Sequence, residues 1–232
     1  MLKGYAMEKS RGKMNLKDMA YTIIREKIVN CEYMPNQFMT ETELTEMIGV
    51  SRTPIREAIN KLEQEGLVQV LPKRGIMIKE ITVGTINDMF EIRILVEPYL
   101  VETYGKDIPK EEIKRQLEIA ADDTVLFYGK NGFRKDNELH QLFYSASHNS
   151  YFEEIMHRSY ALNQRMRILS GMRSEERIRE TQEEHYKILE SMLNKEFAQA
   201  AQYMKEHLKN SRQAAVEAML QEHGEKINRI II

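Results

Sequence analysis

Apolar residues recur along this chain with two different periods, and the change comes near residue 82. Residues 16–30, LKDMAYTIIREKIVN, place Leu16, Met19, Ala20, Ile23 and Ile24 three and four positions apart, the spacing of an amphipathic helix. A loop, CEYMPNQF, follows. A second, short helix over about 42–48 opens on the capping-box pattern Thr40-x-x-Glu43 and stops at Gly49, a residue suited to the left-handed turn that ends helices. Ser51 or Thr53 caps a third helix, with Pro54 in its first turn, where a missing N–H costs least. That helix runs to Glu65, before Gly66, and turns Ile55, Ala58, Ile59 and Leu62 to one side and Thr53, Arg56 and Asn60 to the other. The stretch LVQVLPKRGIMIKE then alternates with period two on both sides of PKRG, which predicts two strands with Lys73 and Arg74 at their tip. Three helices and a hairpin in this order predict a winged helix-turn-helix.

Beyond ITVG the pattern is helical only. Helices are expected near 85–104, 109–128, 133–147, 151–170, 174–193 and 195–221. The fold class is therefore mainly α, an N-terminal winged helix-turn-helix plus a C-terminal all-α helical bundle. The expected division is a tail at 1–15, the winged domain at 16–80, a linker at 81–84, the bundle at 85–223 and a second tail at 224–232.

Composition narrows the class. A chain of 232 residues, 42% hydrophobic and 30% charged, has room for two ordinary domains and reads as soluble. It contains no apolar run of membrane-spanning length, and its first residues lack the apolar core of a signal peptide. A single cysteine, Cys31, excludes an intrachain disulfide framework and suits a reducing cytoplasm, the expected location. The net charge of −2 does not advertise a nucleic-acid binder. Residues 1–80, however, hold 13 Lys and Arg against 11 Asp and Glu, while the remainder holds 21 against 25. This asymmetry permits a local basic surface on the winged domain. Arg52 and Arg56 at the start of the third helix match what a helix entering a major groove needs, since arginine can bridge guanine O6 and N7.

The bundle helices carry a second constellation. Asp136, His140, Phe143 and Ser147 share one face, with Phe133 close by. His185 stands among Ile178, Leu189 and Met192, and His207 edges the stripe Phe197, Ala201, Met204, Leu208. One inward histidine is ordinarily a hydrogen-bonded core residue. One carboxylate and three imidazoles turned into a bundle are a divalent-metal set, zinc by default for nitrogen-rich donors, with nickel or manganese also fitting. Arg93 lies on the stripe Ile86, Met89, Phe90, Val96, Leu100, Tyr104. It is either a buried partner of Glu97 or a guanidinium that binds an effector carboxylate in bidentate fashion. Asn149 either caps the next helix or lines the effector pocket. His148, His157 and His223 have no comparable setting, and Cys31 reads as filler.

Residues 40–78, TETELTEMIGVSRTPIREAINKLEQEGLVQVLPKRGIMI, resemble the N-terminal domain of the GntR family of bacterial transcription regulators. The stretches EIRILVE, DNELHQLFYSASHN and EEHYKILESMLNKEFAQAAQYMKEHL resemble the FadR-like branch with its FCD ligand-binding domain. The resemblance implies a homodimer on a palindromic double-stranded operator, commonly a repressor, that responds to a small metabolite such as an organic or sugar acid. It implies DNA contacts at Ser51, Arg52, Thr53, Arg56 and the wing Gly75, beside Lys73 and Arg74. It also implies the same four metal positions, Asp136, His140, His185 and His207. Members often carry arginine where this chain has Thr42, so one phosphate or base contact is absent here.

Two other functions compete. A metal on a helical bundle can activate water for hydrolysis, but the only bases offered are Glu97 and Glu138, in no recognisable motif. A regulator that senses the metal itself is the third reading. The winged module favours a DNA-binding regulator over an enzyme.

Overall fold

The computed structural model describes residues 15–121, 129–169 and 175–231. Two compact units emerge, one from the residues up to Ile28 with Tyr33–Lys79, the other from Val29–Glu32 with the chain from Glu80 onward. The expected N-terminal tail lies almost wholly outside the described residues.

The first unit contains α1 (Leu16–Val29), β1 (Phe38–Met39), α2 (Glu41–Ile48), α3 (Arg52–Gln64), β2 (Val68–Leu71) and β3 (Gly75–Ile78). The buried face of α1 is Ala20, Ile24 and Ile28, rather than the set expected from Leu16 onward. Leu16 is exposed, and Met19 and Ile23 are half-buried. A line of residues four apart reaches three turns of core, whereas Leu16 stands at the first turn, beyond it. The cap of α2 is reciprocal, with the Glu43 N–H donating to Thr40 Oγ1 at 3.2 Å and the Thr40 N–H to Glu43 Oε2 at 2.7 Å. Gly49 closes the helix at φ +78°. Helix α3 buries Ile55, Ala58, Ile59 and Leu62 and leaves Arg52, Thr53, Arg56 and Asn60 exposed.

The sheet has the order β1-β3-β2 and is antiparallel, with Val68 opposite Ile78, Leu71 opposite Gly75 and Met39 opposite Ile76. Strand β1 was not anticipated, because two residues show no period. At the wing turn Lys73 has φ +64° and Gly75 φ +102°. A Cβ on Gly75 would stand 2.7 Å from the Met39 carbonyl oxygen, so only glycine lets β1 approach β3 here.

The second unit contains α4 (Val83–Tyr104), a 3-10 turn (Gly105–Asp107), α5 (Lys110–Ala121), α6 (Gly129–Ser145), α7 (Ser150–Leu169), α8 (Glu175–Leu193) and α9 (Phe197–Ile231). Three boundaries differ most from expectation, and the first is that α6 starts at Gly129 rather than near 133, inside the stretch YGKNG expected as a loop. Helix α4 starts inside the expected linker, because Thr82 and Thr85 cap it reciprocally, and Ile81 is buried. Helix α9 continues through the expected C-terminal tail to Ile231, since the lone Gly224 costs a helix only about 1 kcal/mol and no proline follows. The expected helical residues 122–128, 170 and 174 lie outside the described residues, as does the side chain of Phe133.

The core of this unit includes Ile86, Phe90, Leu100, Leu139, Phe143, Met156, Ile188, Leu189, Met204 and Leu208. Among the described residues of this unit, eight polar or charged side chains are no more than 1% exposed: Arg93, Glu97, Asp136, His140, Asn163, Arg165, His185 and His207. A charged group this deep is stable only with compensating partners, which makes its surroundings informative. Among the described residues no helix is long and apolar enough to cross a membrane.

Candidate metal centre and nucleic-acid interface

Asp136 and His140 lie one turn apart on the inner face of α6, and α8 and α9 bring His185 and His207 to meet them. The ligand atoms of the three histidines lie within 4.8 Å of one another. His185 Nε2 is 3.4 Å from His207 Nε2 and 3.7 Å from Asp136 Oδ1. Ligands about 2.1 Å from a common ion stand roughly 3–3.4 Å apart, so this spacing is close to that of a coordination shell.

The outward atoms of these groups are bonded. His140 Nδ1 meets Glu97 Oε2 at 2.5 Å, His207 Nδ1 meets Glu184 Oε2 at 2.7 Å, and Arg167 donates to Asp136 Oδ2 at 2.6 Å. The inward atoms are different. Asp136 Oδ1 and His140 Nε2 are buried with no hydrogen-bond partner. A buried polar atom left unpaired costs about 1–3 kcal/mol, so two together call for an occupant.

The protonation states agree with that occupant being a cation. Burial pushes His185 well below its usual value, and neighbouring His207 adds to the shift. Burial also lowers His207, against the opposing pull of Glu184. Both imidazoles are thus held neutral, as metal ligands must be. Burial works against ionisation of Glu97, but Arg93 and then His140 hold its carboxyl down at about 2. Burial likewise disfavours ionised Asp136, and the Arg167 guanidinium, the largest opposing influence, overcomes it and leaves the carboxyl well below the usual range. Glu184 is depressed in the same way by His207 and Arg177, again against burial. One anionic oxygen and three ring nitrogens fit a divalent first-row metal.

These shifts predict an acid response. His185 and His207 bind protons more weakly folded than unfolded, so the unfolded chain takes them up first below its value of about 6.5. Metal-free protein should therefore lose stability as pH falls through about 6.5. It should lose more below about 4.5, where the unfolded carboxylates protonate while Glu97 stays ionised down to about 2. Urea midpoints of metal-free protein between pH 8 and 4 measure this, and a midpoint that stays level between pH 8 and 5 would contradict it.

Arg93 donates through Nε to Glu97 Oε1 at 2.6 Å, and its guanidinium lies 4.8 Å from the Tyr160 ring centroid and 5.3 Å from that of Phe90. The pair with Glu97 is therefore formed, and Arg93, Glu97 and His140 make one continuous buried chain. Asn149 takes the capping place, its Oδ1 accepting from the Tyr151 N–H at 3.0 Å. His148 and His157 are exposed, and His223 has its side chain outside the described residues. A cleft of about 530 Å³ between α8 and α9 is lined by Arg177, Lys187, Tyr203 and Asn210, with Glu184 and His207 also in its wall.

In the first unit, Ser51, Arg52, Thr53 and Arg56 are exposed on the leading turns of α3, and Lys73 and Arg74 are exposed at the wing tip beside Gly75. Arg56 is not waiting free. Its Nε donates to both Glu41 oxygens at 2.9 Å. Glu41, Arg167 and Glu184 are partners of candidate site residues that the sequence pattern does not reveal. Each bond joins residues far apart in sequence, and no local period marks it.

Residues 16–78 match the family described as bacterial regulatory proteins, gntR family, and residues 88–210 match the FCD domain. The HTH-type transcriptional regulator YdhC of Bacillus subtilis is 28% identical over 197 residues, covering 81% of this chain and 85% of its own. The HTH-type transcriptional repressor RspR of Escherichia coli is 30% identical over 128 residues, 53% of this chain and 55% of that protein. A GntR transcriptional regulator from Rhodococcus sp. RHA1 shares the fold, with a TM-score of 0.72 at 19% identity over 87% of this chain and 97% of that one.

Proposed function

The chain belongs to the GntR family of bacterial regulatory proteins and carries an FCD domain, and on that premise we propose a metal-holding, carboxylate-responsive repressor. It is a transcription regulator, and its relatives are regulators rather than enzymes, which sets the hydrolase alternative aside. The observation that carries the proposal is the asymmetry of the buried centre, where outward atoms are hydrogen-bonded and Asp136 Oδ1 and His140 Nε2 are left without partners. Asp136, His140, His185 and His207 would hold the metal, zinc first, with nickel or manganese as the alternatives. When bound, it would tie α6, α8 and α9 together and offer an open place to an oxygen ligand. Arg93 would take the far end of an organic or sugar acid, whose carboxylate suits a guanidinium fork. The effector must favour one arrangement of the winged domains over another to change operator affinity. A thermal-shift screen of mono-, di- and tricarboxylates and sugar acids tests this on metal-loaded protein, because a ligand of the native state raises its melting temperature. If no acid shifts the loaded protein, the carboxylate reading fails and a metal-sensing regulator takes its place.

On DNA, Arg52 and Arg56 would read base edges from the first turns of α3, and Lys73 and Arg74 would follow the backbone from the wing. Arg52→Ala should weaken specific binding by about 1–3 kcal/mol while leaving non-specific binding intact. Lys73→Ala should weaken all sequences alike and reduce the salt slope by about one. Titrating labelled operator and random duplex at several salt concentrations separates the two. Unchanged operator affinity in Arg52→Ala defeats the recognition-helix assignment.

A single recognition helix reads too few bases, so the reading requires a two-fold dimer on a palindrome. Supporting it is an apolar patch on the second unit. Ile92, Leu95 and Tyr99 project from α4, Tyr151 and Ile155 from α7, and each is at least 40% exposed. The Tyr99 and Phe152 rings, 6.0 Å apart, join the two rows. A contiguous patch of this kind marks an interaction surface. Leu95→Glu is expected to sediment as a monomer at micromolar concentration where the wild type is a dimer, and a wild-type monomer there counts against the scheme.

A further inference from the structure

Two carboxylates stand behind the metal-facing histidines. Glu97 Oε2 meets His140 Nδ1 at 2.5 Å while its Oε1 accepts from Arg93 at 2.6 Å. Glu184 Oε2 meets His207 Nδ1 at 2.7 Å. Glu184 is itself held by Arg177, at 3.0 and 2.9 Å, and by Asn210 at 2.7 Å. An ionised carboxylate only accepts, so in both pairs the hydrogen belongs on the imidazole Nδ1. That leaves Nε2 as the lone-pair atom, and in both residues Nε2 is the inward one: His140 Nε2 is unpartnered and His207 Nε2 faces His185.

We infer that Glu97 and Glu184 are positioning residues, which fix the Nδ1–H tautomer of His140 and His207, aim both Nε2 atoms at one point, and thereby set the metal affinity of the centre. An imidazole without such a partner is free to carry its hydrogen on Nε2, where it blocks coordination, and free to rotate. The two carboxylates have different second partners. Glu97 shares itself between His140 and Arg93, so a metal ligand and the effector-binding candidate lean on one group. Glu184 is gripped from α8 by Arg177 and from α9 by Asn210, so the aim of His207 follows the register of those two helices. Glu184 is also the more accessible, 16% exposed in the α8–α9 cleft against 1% for Glu97.

The inference rests on the metal reading for affinity but not for tautomer, so the test has two arms. Full-length protein is stripped of metal, and ring-nitrogen NMR reports which nitrogen of each histidine carries the hydrogen. Zn²⁺ is then titrated against a competing chelator. In the wild type, His140 and His207 are expected to carry hydrogen on Nδ1. Glu184→Leu should move His207 toward the Nε2–H form, leave His140 alone, and weaken zinc binding about 10–100-fold. Glu184→Gln keeps an acceptor oxygen and should fall between, which a merely structural role does not predict. Glu97→Gln should act on His140. Should that buried substitution unfold the chain, the Glu184 pair alone decides. An unchanged His207 tautomer in Glu184→Leu, or zinc affinity within about twofold of wild type, overturns the proposal. A wild type that takes up no zinc yet keeps both hydrogens on Nδ1 supports the positioning and overturns metal binding itself.

Discussion

Stripping the metal from the full-length protein is expected to lower the melting temperature of the bundle by about 8–16 °C. An ion present at a thousandfold excess over its dissociation constant stabilises the state it binds by about 4 kcal/mol. One kcal/mol moves the midpoint of a domain of this size by about 2–4 °C. The effect belongs to the whole bundle, because the four residues come from three helices and the ion would tie those helices together. His185→Ala should reproduce it. The substitution removes the nitrogen that stands 3.4 Å from His207 Nε2 and 3.7 Å from Asp136 Oδ1, the most central of the four donors. The variant should lose metal and its response to carboxylates, yet still contact operator, since α3 and the wing belong to a unit with its own core. Elemental analysis, differential scanning calorimetry and effector titration of operator-bound protein measure the three parts. A wild type without stoichiometric metal after reloading, or a His185→Ala variant that answers effector normally, would reduce the four residues to a polar core.

How much of this was legible depended on how local each signal was. The winged unit read well because its cues sit within a few residues of one another: the Thr40–Glu43 cap, Gly49, Pro54, and the alternation around PKRG. Strand β1 did not read, since two residues carry no period and the pairing is made by β3, more than thirty residues on. The candidate ligands stood out as polar residues on apolar stripes, which is a helix-local pattern. Their partners did not. Glu97 could be paired with Arg93 one turn away, but its bond to His140 spans 43 residues and needs α4 and α6 side by side. Glu184 is adjacent to His185 in sequence, yet it serves His207 on another helix, 23 residues away. Arg56 read as a free DNA contact because Glu41, fifteen residues earlier, meets it only after α2 and α3 pack. The run-on of α9 reflects the opposite limit, a helix that no strong local signal stops.

Arg93→Met is expected to cost about 3–5 kcal/mol, the range for breaking a buried ion pair by removing one partner. Both members are only 1% exposed, so solvent cannot compensate for the loss. Methionine fills much of the arginine volume, which confines the change largely to charge. Glu97 would keep its bond to His140 but lose the stronger of the two neighbours that hold its carboxyl at about 2, leaving burial to push it upward. The pH dependence follows from that. In the wild type, Glu97 contributes stability that is full above the unfolded value of about 4.5 and is lost as pH falls toward about 2. The variant lacks that contribution, so its deficit should be full at pH 7 and shrink on acidification below 4.5. Adding Glu97→Gln to Arg93→Met should recover part of the deficit by removing the stranded charge, at the expense of metal affinity if Glu97 orients His140. Urea titration at pH 7 and pH 4 measures the first effect. Calorimetric titration with zinc, and then with the acid that shifts the loaded wild type, measures the second. Arg93→Met alone should keep the metal and bind that acid poorly. If instead it binds the acid as tightly as the wild type, Arg93 is only the partner of Glu97, and the carboxylate must be held by other side chains.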